Sequence, residues 1–380
     1  MIKLGMVAGE ASGDLLGAGL LGDLQHQNIG YQATGIAGPA MLSVGCRTLF
    51  DMDRLSVTGF IEPLFRLHEL FRMRKQLYHY FLANKPDVFV GIDSPDFNLG
   101  LELRLRRAGI PIIHYVSPSV WAWRQKRIIN IAAATDLVLT LFPFETAFYE
   151  THHVPAKCVG HPLADQIPLH PDKKAARSQL NLEQDAIYIA LLPGSRANEL
   201  HYLSEVFIQA AVLCRKKRPP LRFITSAINP QRFTEFQQTC QRIAPTLPMT
   251  YFQGQSHAVM AAADVILLAS GTASLEAMLF KRPMVIAYRM APITYHLAKY
   301  LVNIPYIGLP NILSNRLLVP EFIQQAVTPD HLMTAILHFI DHPEQVIELE
   351  KTFCVLHKML RRDANRQAGE AVIELIKRTH

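Results

Sequence analysis

The chain has 380 residues, of which 49% are hydrophobic and 18% are charged, and it carries a formal net charge of +6 at pH 7. This length suits two α/β domains, and the composition excludes a disordered chain. The five cysteines form no Cys-x-x-Cys pair, which argues against a disulfide framework and against a zinc site. The positive charge favours anionic partners, but no RNA-binding signature or Cys/His finger occurs, so nucleic acid is not expected among them.

The N-terminal stretch MIKLGMVAGEASGD passes directly from a short apolar strand into glycines. It lacks the charged start, apolar stretch and cleavage site of a signal peptide. Elsewhere no apolar run approaches the roughly 18 residues that are needed to cross a bilayer. We therefore expect a cytoplasmic protein without a membrane span.

Glycines 9, 13, 17 and 19 follow this first strand and superficially suggest a dinucleotide-binding loop. Their spacing is not G-x-G-x-x-G, and residues 30–40 lack the acidic residue that would hold a ribose, so a hydride-transfer enzyme is disfavoured. A tight turn with close helix packing explains the glycines. It does not explain the carboxylate of Glu10 at the mouth of the turn.

Residues 60–81 predict an amphipathic helix whose apolar stripe is wider than one buried face needs. Four cations against two carboxylates make the segment basic, as in helices that lie in a membrane interface near anionic headgroups. A core helix with one solvated face is the competing interpretation. The residues predicted to contact the membrane are Phe60, Ile61, Leu64, Leu67, Leu70 and Phe71.

The stretch GIDSPDFN places Asp93 and Asp96 at the end of a buried strand. A carboxylate that is partly withdrawn from water there is suited to take a proton from an attacking hydroxyl. The alternative is that the two aspartates cap a helix or shape a turn. Farther along, the stretch SPSVWAWRQKR follows another buried strand and contains both tryptophans of the chain, together with Arg124, Lys126 and Arg127.

Two loops in the second half of the chain suit an anion. The stretch LLPGSR carries Ser195 and Arg196, and LLASGTASLE carries Ser270, Gly271 and Thr272 before a helix that contains Glu276. Backbone N–H groups, the helix dipole and an arginine together can neutralise a diphosphate, and the glutamate can accept hydrogen bonds from sugar hydroxyls. An ordinary N-cap followed by a helix glutamate is the alternative for the second loop. No G-x-x-x-x-G-K-[ST] occurs, so a nucleotide would not be held as in an ATPase.

The histidines offer no H-E-x-x-H spacing, and we predict no metal and no cofactor. His114 and His161 stand beside strand ends, where each would either contact substrate or fill space. No G-x-S-x-G elbow occurs, which disfavours a Ser/His/Asp hydrolase.

Short apolar runs separated by longer helical patterns predict the fold: KLGMVAGE, DVFVGIDSPD, PIIHYVSPS, DLVLTLFPF, IYIALLPGS, LRFITSA, DVILLASGT and PMVIAY. Runs that are apolar on both faces predict parallel sheets covered by helices on both sides. The predicted fold class is α/β, with two doubly wound, Rossmann-like domains that face a cleft. Prolines and charges at 161–186 mark the seam. The predicted domains are 1–165 and 166–350, with 351–380 returning to the first domain.

Six motifs stand in order along most of the chain: AGEASGD, GIDSPDFN, HYVSPSVWAWRQKR, LLPGSR, LLASGTASLE and LPN at 309–311. Together they closely resemble the lipid A disaccharide synthases, a family of inverting glycosyltransferases with the two-domain GT-B fold. The resemblance implies transfer of 2,3-diacylglucosamine from UDP to the 6-hydroxyl of 2,3-diacylglucosamine 1-phosphate (lipid X), a step of lipopolysaccharide synthesis.

The resemblance also implies roles for individual residues. Asp93 becomes the general base and Glu10 a second acidic group of the site. The implied UDP-sugar ligands are Ser195, Arg196, Ser270, Gly271, Thr272, Glu276 and Asn311.

The implied acceptor carries a phosphate and acyl chains, and this suggests a role for the tryptophan loop. Its cations, Arg124, Lys126 and Arg127, would hold the phosphate, while Trp121 and Trp123 cover sugar or acyl surface. The simpler alternative is that the indoles pack the domain and the cations face water. The implied partners are the two lipid substrates and the inner-membrane surface, and the C-terminal helical stretch suggests a homodimer.

Two other functions fit parts of this pattern. Another UDP-sugar transferase or epimerase on the same plan would keep the diphosphate loops but would not need SPSVWAWRQKR or GIDSPDFN. A membrane-binding module that senses nucleotide sugars without turnover would not need Asp93 and Glu10.

Overall fold

The structure is a computed structural model that describes the chain except residues 56–61, 124, 228, 293, 297–303 and 380. For residues 62–67 it describes the backbone but not the side chains. Phe60, Ile61 and Arg124 therefore lie outside the described residues, as do the side chains of Leu64 and Leu67.

The chain divides into two compact units. The first comprises Met1–Asp165 and Leu360–His380, and the second comprises Gln166–Met359. The helix Pro343–Leu360 runs without a break to the second boundary. Residues 351–359 consequently belong to the second unit, although the sequence predicts that they return to the first.

A parallel sheet forms the centre of the first unit. Its strands are β1 (Ile2–Ala8), β2 (Tyr31–Ala37), β3 (Arg47–Asp51), β4 (Val88–Ile92), β5 (Ile112–Tyr115), β6 (Leu137–Thr140) and β7 (Ala156–Cys158). Their order is β3-β2-β1-β4-β5-β6-β7, and every pairing is parallel. The chain therefore winds outward from β1 to β3, returns to the centre, and winds the other way from β4 to β7.

The second unit repeats this plan. Its strands are β8 (Tyr188–Leu192), β9 (Arg222–Ala227), β10 (Met249–Gln253), β11 (Val265–Ala269), β12 (Met284–Tyr288) and β13 (Glu321–Ile323). Their order is β10-β9-β8-β11-β12-β13, again with parallel pairings. The winding reverses between β8 and β11, as it does between β1 and β4 in the first unit.

Helices connect the strands of both units. In the first unit they are Ala11–His26, Pro39–Ser43, Glu62–Ala83, Pro95–Arg107, Ile128–Ala134, Pro143–Thr151 and Ala364–Thr379. The helix Pro162–Gln166 lies at the unit boundary. In the second unit they are Lys173–Gln179, Ala197–Lys217, Pro230–Ile243, Ser256–Ala262, Thr272–Leu279, Leu309–Ser314, Pro329–Asp341 and Pro343–Leu360. The predicted α/β architecture with two parallel-sheet domains is confirmed.

Burial explains which strands the sequence reveals. Every residue of β4, β8 and β11 is buried, and these strands read as continuous apolar runs. No such apolar run marks the edge strands β3, β7, β10 and β13, in which no residue is fully buried. Because an edge strand has fewer neighbours, it keeps polar residues and loses the apolar signal. The interior strand β2 also lacks a continuous apolar run, because its sequence, YQATGIA, mixes polar and apolar residues.

The last helix, Ala364–Thr379, completes the first unit by packing on the first helix, Ala11–His26. Asp165 caps its start by accepting hydrogen bonds from the N–H groups of Asp363 at 3.0 Å and Ala364 at 2.7 Å. A chain segment that begins far along the sequence thus covers the first crossover helix.

Candidate active site

The winding reversal of the first unit brings the two predicted catalytic carboxylates to neighbouring loops. β1 and β4 are adjacent parallel strands, so the loops that carry Glu10 and Asp93 leave the same sheet edge side by side. The loops are in contact, because a Cβ on Gly9 would lie 2.0 Å from Ser94 Oγ. Glu10 is exposed and Asp93 is half-buried. One carboxylate is therefore solvated and the other is partly withdrawn from water.

Asp93 stands in a turn that the surrounding residues enforce. Asp93 and Ser94 have φ values of 51° and 44°, in the left-handed region that residues with a Cβ rarely adopt. Asn98 is fully buried and donates a hydrogen bond of 2.8 Å to the carbonyl of Asp93. The N–H of Asp93 donates to the carbonyl of Tyr115 at 2.8 Å. These bonds fix where the Asp93 carboxylate leaves the sheet edge.

The aspartate that ends the AGEASGD motif has a structural task. Asp14 is 3% exposed. It accepts hydrogen bonds from the N–H groups of Gly38 at 2.8 Å, Ala40 at 2.8 Å and Met41 at 3.1 Å. The short helix Pro39–Ser43 is thereby held against the first crossover helix. The motif consequently contains one solvated carboxylate, Glu10, and one buried carboxylate that caps a helix.

Asp96, the other acidic residue of GIDSPDFN, forms an ion pair with Arg127. Asp96 is exposed, whereas the Arg127 side chain is 24% exposed. One cation predicted to bind phosphate is therefore already engaged at the start of the helix Pro95–Arg107. An incoming phosphate would compete with Asp96 for it.

The two tryptophans differ in their surroundings. Trp121 donates from Nε1 to Glu145 Oε1 at 3.3 Å, and its ring packs edge-on against Phe144 with centroids 4.7 Å apart. Trp123 is 37% exposed, and Lys126 is exposed. Burial raises the pKa of Glu145 to about 7, against hydrogen bonds that lower it. Trp121 thus anchors the loop to the domain, as the packing interpretation predicts, while Trp123 remains accessible.

The described part of the helix Glu62–Ala83 is mainly a core helix. Met73, Leu77 and Phe81 are buried at helical spacing, and Leu70 is half-buried and packs against the same core. Among the predicted membrane residues with a described side chain, Phe71 alone is exposed, at 57%.

A cavity of about 690 Å³ lies at the carboxyl end of the second sheet. Its walls are the loops that follow four adjacent strands, β10, β9, β8 and β11, and the winding reversal falls among them. Six predicted UDP-sugar ligands line it: Ser195, Arg196, Ser270, Gly271, Thr272 and Glu276. Four lining residues that the sequence analysis does not identify are Ser226, Asn229, Gln255 and His257.

The loop of Ser195 and Arg196 is built around Glu199. The Glu199 carboxylate accepts hydrogen bonds from the N–H groups of Ser195 at 2.8 Å and Arg196 at 3.1 Å. Gly194 has φ 115°, and a Cβ there would lie 2.2 Å from Glu199 Oε2, so this position requires glycine. The Arg196 side chain is 81% exposed. In this loop the guanidinium, and not these two backbone amides, is available to an anion.

The second loop offers its helix N-terminus to the cavity. Gly271 and Thr272 are exposed where the helix Thr272–Leu279 begins, and first-turn N–H groups have no partner within a helix. Glu276 pairs with His257 Nε2 at 3.3 Å. The hydrogen bond with Glu276 raises the pKa of His257, against its partial burial. The stabilisation from this pair is therefore fully present below the ordinary pKa of histidine and is lost as pH rises through the raised value.

Asn311 is placed differently from the other predicted UDP ligands. It is fully buried, and its amide donates to the carbonyl of Val319 at 2.8 Å and to Glu321 Oε1 at 2.7 Å. Its oxygen accepts from the N–H groups of Leu318 at 2.8 Å and Val319 at 3.0 Å. All four hydrogen bonds of the side chain are made inside the second unit, so the structure leaves Asn311 no free group for a ligand.

Glu321 links Asn311 to the cavity. Its carboxylate accepts from the N–H groups of Ile307 at 2.9 Å and Gly308 at 2.8 Å. The carbonyl of Ile307 in turn accepts a hydrogen bond of 3.0 Å from Ser270 Oγ. Asn311 therefore acts on the site at a distance, by holding the loop against which Ser270 rests. Glu321 lies on an edge strand that has no continuous apolar run, so the sequence alone does not identify it.

The two histidines singled out by the sequence are buried or partly buried. His114 is fully buried. His161 accepts a hydrogen bond at Nδ1 from the N–H of Leu163 at 3.2 Å and packs beside Phe142. Among the residues that the structure describes, no group of three or more His, Cys, Asp or Glu side chains is placed to hold a metal ion. Nowhere in the described ranges does a helix combine the length and apolarity of a membrane span.

Comparisons with known proteins point to one family. A family model described as "Lipid-A-disaccharide synthetase" matches residues 4–375. The chain is 48% identical over 376 residues to a lipid-A-disaccharide synthase of Cellvibrio japonicus (strain Ueda107), covering 99% of this chain and 98% of that protein. It is 49% identical over 381 residues to one of Azotobacter vinelandii (strain DJ), covering 100% and 99%.

Solved structures with low sequence identity share the fold. A UDP-GlcNAc 2-epimerase from Neisseria meningitidis bound to UDP-GlcNAc is 12% identical, with a TM-score of 0.63 and full coverage of both chains. The calicheamicin glycosyltransferase CalG4 is 13% identical, with a TM-score of 0.63 over 100% of this chain and 99% of that one. At such identity these structures establish the GT-B type of fold and no more.

Gly9→Ala is expected to lower the turnover number about 100-fold, because the new Cβ would push apart the loops of Glu10 and Asp93, and small displacements of reacting groups cost about that much. The measurement is the initial rate of product formation. Gly22→Ala is the matched control, since a Cβ there meets nothing within 4 Å. Equal rates for the two variants would show that contact of the loops does not matter.

Glu321→Gln should destabilise the second unit by about 1–3 kcal/mol, because an amide cannot accept three hydrogen bonds where a carboxylate did. It should also weaken the binding of UDP, since the loop at 307–308 loses its anchor. Urea unfolding and titration calorimetry with UDP measure the two effects. Glu183→Gln, at a side chain that is 64% exposed, is the control. An unchanged urea midpoint for Glu321→Gln would contradict the anchoring role.

Proposed function

The chain belongs to the lipid-A-disaccharide synthase family and is a glycosyltransferase, and we propose that Asp93 is the base of its transfer reaction. The proposed donor is UDP-2,3-diacylglucosamine and the proposed acceptor is lipid X. The observation that carries the proposal is the position of the carboxylates. Asp93 and Glu10 stand at the winding reversal of one sheet, and the anion-suited cavity stands at the reversal of the other.

The reaction is a single in-line displacement. The acceptor 6-hydroxyl gives its proton to the Asp93 carboxylate while its oxygen forms a bond to C1 of the donor sugar. The bond between C1 and the β-phosphate oxygen breaks on the opposite face, and its electron pair leaves with UDP. One attack inverts the configuration at C1 and gives the β-1,6 linkage. Glu10, exposed beside Asp93, is the proposed second acidic group of this site.

The leaving group is stabilised from the second unit. The diphosphate accepts hydrogen bonds from N–H groups of the helix N-terminus at Gly271 and Thr272. The Arg196 guanidinium neutralises part of its negative charge. The ion pair of Arg196 with Glu199 is 3.3 Å long and leaves the Arg196 side chain 81% exposed, so a diphosphate can compete for the guanidinium. The Glu276 carboxylate accepts hydrogen bonds from the ribose hydroxyls. A structural neighbour that binds UDP-GlcNAc on the same fold supports a UDP-sugar in this role.

The acceptor is held by the tryptophan loop in this proposal. Trp123 and Lys126 are exposed in the first unit, and Arg127 can exchange Asp96 for the acceptor phosphate. Trp121 positions the loop through Glu145 instead of contacting the lipid. Arg124 belongs to the same proposal on sequence grounds.

The rival on the same fold is a UDP-sugar epimerase, which needs no acceptor. Release of UDP that depends on lipid X separates the two, because an epimerase returns its sugar to UDP. Conversion of the donor to an altered UDP-sugar without acceptor, and without net release of UDP, would favour the rival.

Association with the inner-membrane surface is the second part of the proposal. Phe71 is exposed on the first unit, and the exposed cations Arg72 and Lys75 follow it within about one helical turn, a combination that suits an anionic lipid interface. The lipid substrates would then enter from that side. The homodimer suggested by the C-terminal helical stretch stays a prediction.

Asp93→Asn is expected to lower the turnover number about 10²- to 10⁴-fold with little change in KM, because the amide cannot take the proton. The assay incubates purified protein with UDP-2,3-diacylglucosamine and lipid X and detects the disaccharide 1-phosphate by mass. Asp185→Asn, at an exposed residue of the second unit, is the control. Turnover at the wild-type rate in Asp93→Asn would refute Asp93 as the base.

Phe71→Ser is expected to reduce co-sedimentation with vesicles of anionic phospholipid, because it removes exposed apolar surface beside two cations. Val355→Ser removes a side chain of similar exposure, 67%, from the second unit and should leave sedimentation unchanged. Equal sedimentation of both variants and wild type would show that Phe71 does not contribute to membrane binding.

A further inference from the structure

A buried acid and a buried histidine meet beneath the turn of Asp93. His114 Nδ1 lies 2.7 Å from Glu102 Oε1, and neither side chain is exposed to solvent. His114 is on β5, and Glu102 is on the helix Pro95–Arg107. Gly91 stands opposite His114 on β4, and a Cβ there would lie 1.9 Å from Glu102 Oε1. A glycine on the central strand is therefore required to admit the pair.

Stability alone does not account for such a pair. Withdrawing two ionisable groups from water costs free energy, and apolar residues of similar volume are often as stable or more so. Glu102 Oε2 and His114 Nε2 are also buried, and neither has a hydrogen-bond partner among the described residues. A costly ionisable pair beside a candidate catalytic group indicates a functional role.

The elements that carry the pair are the ones that hold Asp93. Asn98 lies one helical turn before Glu102 and donates 2.8 Å to the carbonyl of Asp93. Tyr115 follows His114 on β5 and accepts from the N–H of Asp93 at 2.8 Å. A change in the pair would therefore be transmitted to the Asp93 turn from both sides.

Charge connects the pair to Asp93 as well. Burial lowers the pKa of His114, but the neighbouring charges of Glu102 and Asp93 and the hydrogen bond that His114 makes to Glu102 outweigh it, and the net pKa is raised. Burial raises the pKa of Glu102, and the charge of His114 opposes that rise. The 2.7 Å separation places one shared proton in the hydrogen bond between His114 Nδ1 and Glu102 Oε1. Its neighbours across the flanking strands, Gly91 and Val138, have no titratable side chain.

We propose that His114 and Glu102 are positioning residues for Asp93, a proposal that rests on the role of Asp93 as the base. The pair supports the Asp93 turn from the helix and from β5, and His114 in its protonated form favours the carboxylate form of Asp93 that can accept a proton, with Glu102 balancing the charge. The proton of the acceptor hydroxyl goes to Asp93 itself, and His114 transfers none. The pair fixes the turn and the charge state of the base without touching the substrate.

The first test uses His114→Gln and Glu102→Gln. Each should lower kcat about 10- to 100-fold, less than loss of the base itself, with KM for both substrates changed less than about twofold. In His114→Gln the acidic limb of the pH–rate profile should move to higher pH by about one unit, because the carboxylate of Asp93 loses a neighbouring cation. Exposed Glu150→Gln and His152→Gln in the same unit are controls and should change neither quantity.

Because both residues lie in the core, a second variant separates folding from positioning. The double variant Glu102→Met with His114→Leu removes both charges and should melt no lower than either single variant. It should still show the loss in kcat and the shifted limb. A double variant with wild-type kcat and pH profile would overturn the proposal.

Imidazole titration by NMR tests the coupling in an unaltered core. The pKa of His114 should fall in Asp93→Asn, which removes one of the two carboxylates acting on it, and an unchanged titration would contradict the coupling. The outcomes also separate the two proposals. Wild-type turnover in Asp93→Asn would refute the role of Asp93 as the base, and with it the positioning proposal. If Asp93→Asn is inactive while the Gln variants keep the wild-type kcat and pH profile, the positioning role of the pair is refuted and the role of Asp93 as the base stands.

Discussion

Parallel strands cannot be joined by tight turns, because each strand must begin again at the end of the sheet where the previous one began. The crossover from one parallel strand through a helix to the next has one preferred hand. The connecting helices therefore lie on one face of the sheet until the winding direction reverses, and then on the other face. At the reversal two adjacent loops leave toward opposite faces, and a crevice opens between them. In each unit this happens once, between β1 and β4 and between β8 and β11. The candidate carboxylates and the anion-suited cavity both follow from that constraint.

The loops at the carboxyl edges of the two sheets are held by buried or half-buried polar side chains, most of which bind backbone groups. Asn98 holds the turn of Asp93, Glu145 holds Trp121, and Glu199 holds the loop of Arg196. Asn311 and Glu321 do the same for the loop beside Ser270. A carboxylate or amide that satisfies several N–H or C=O groups fixes a loop more tightly than apolar packing, because its hydrogen bonds are directional and costly to leave unmade. The exposed groups, Glu10 and Arg196 among them, are thus presented by a rigid frame.

The residues named by the sequence motifs therefore divide into two kinds. Glu10, Asp93, Arg196 and Glu276 reach a sheet edge or the cavity, where they can meet a ligand. Asp14, Trp121 and Asn311 belong to the same motifs, yet their polar groups face inward and are already paired with the protein. A motif of this family is consequently a mixture of groups suited to chemistry and groups that position them. The buried pair of Glu102 and His114 extends the second kind.

The sequence by itself determined the fold class and the family. Interior strands such as β4, β8 and β11 are buried on both faces and leave a continuous apolar run, and the glycines and charged residues that follow them mark the functional loops. It also indicated six residues that line one cavity in the second unit. Tertiary structure alone decided the rest. Edge strands have no strong apolar signal, so β13 and Glu321 went unrecognised. Whether Asn311 or Trp121 faces a ligand or the core depends on partners distant in sequence, Glu321 and Glu145 among them, and local pattern carries no information about which side chains meet there.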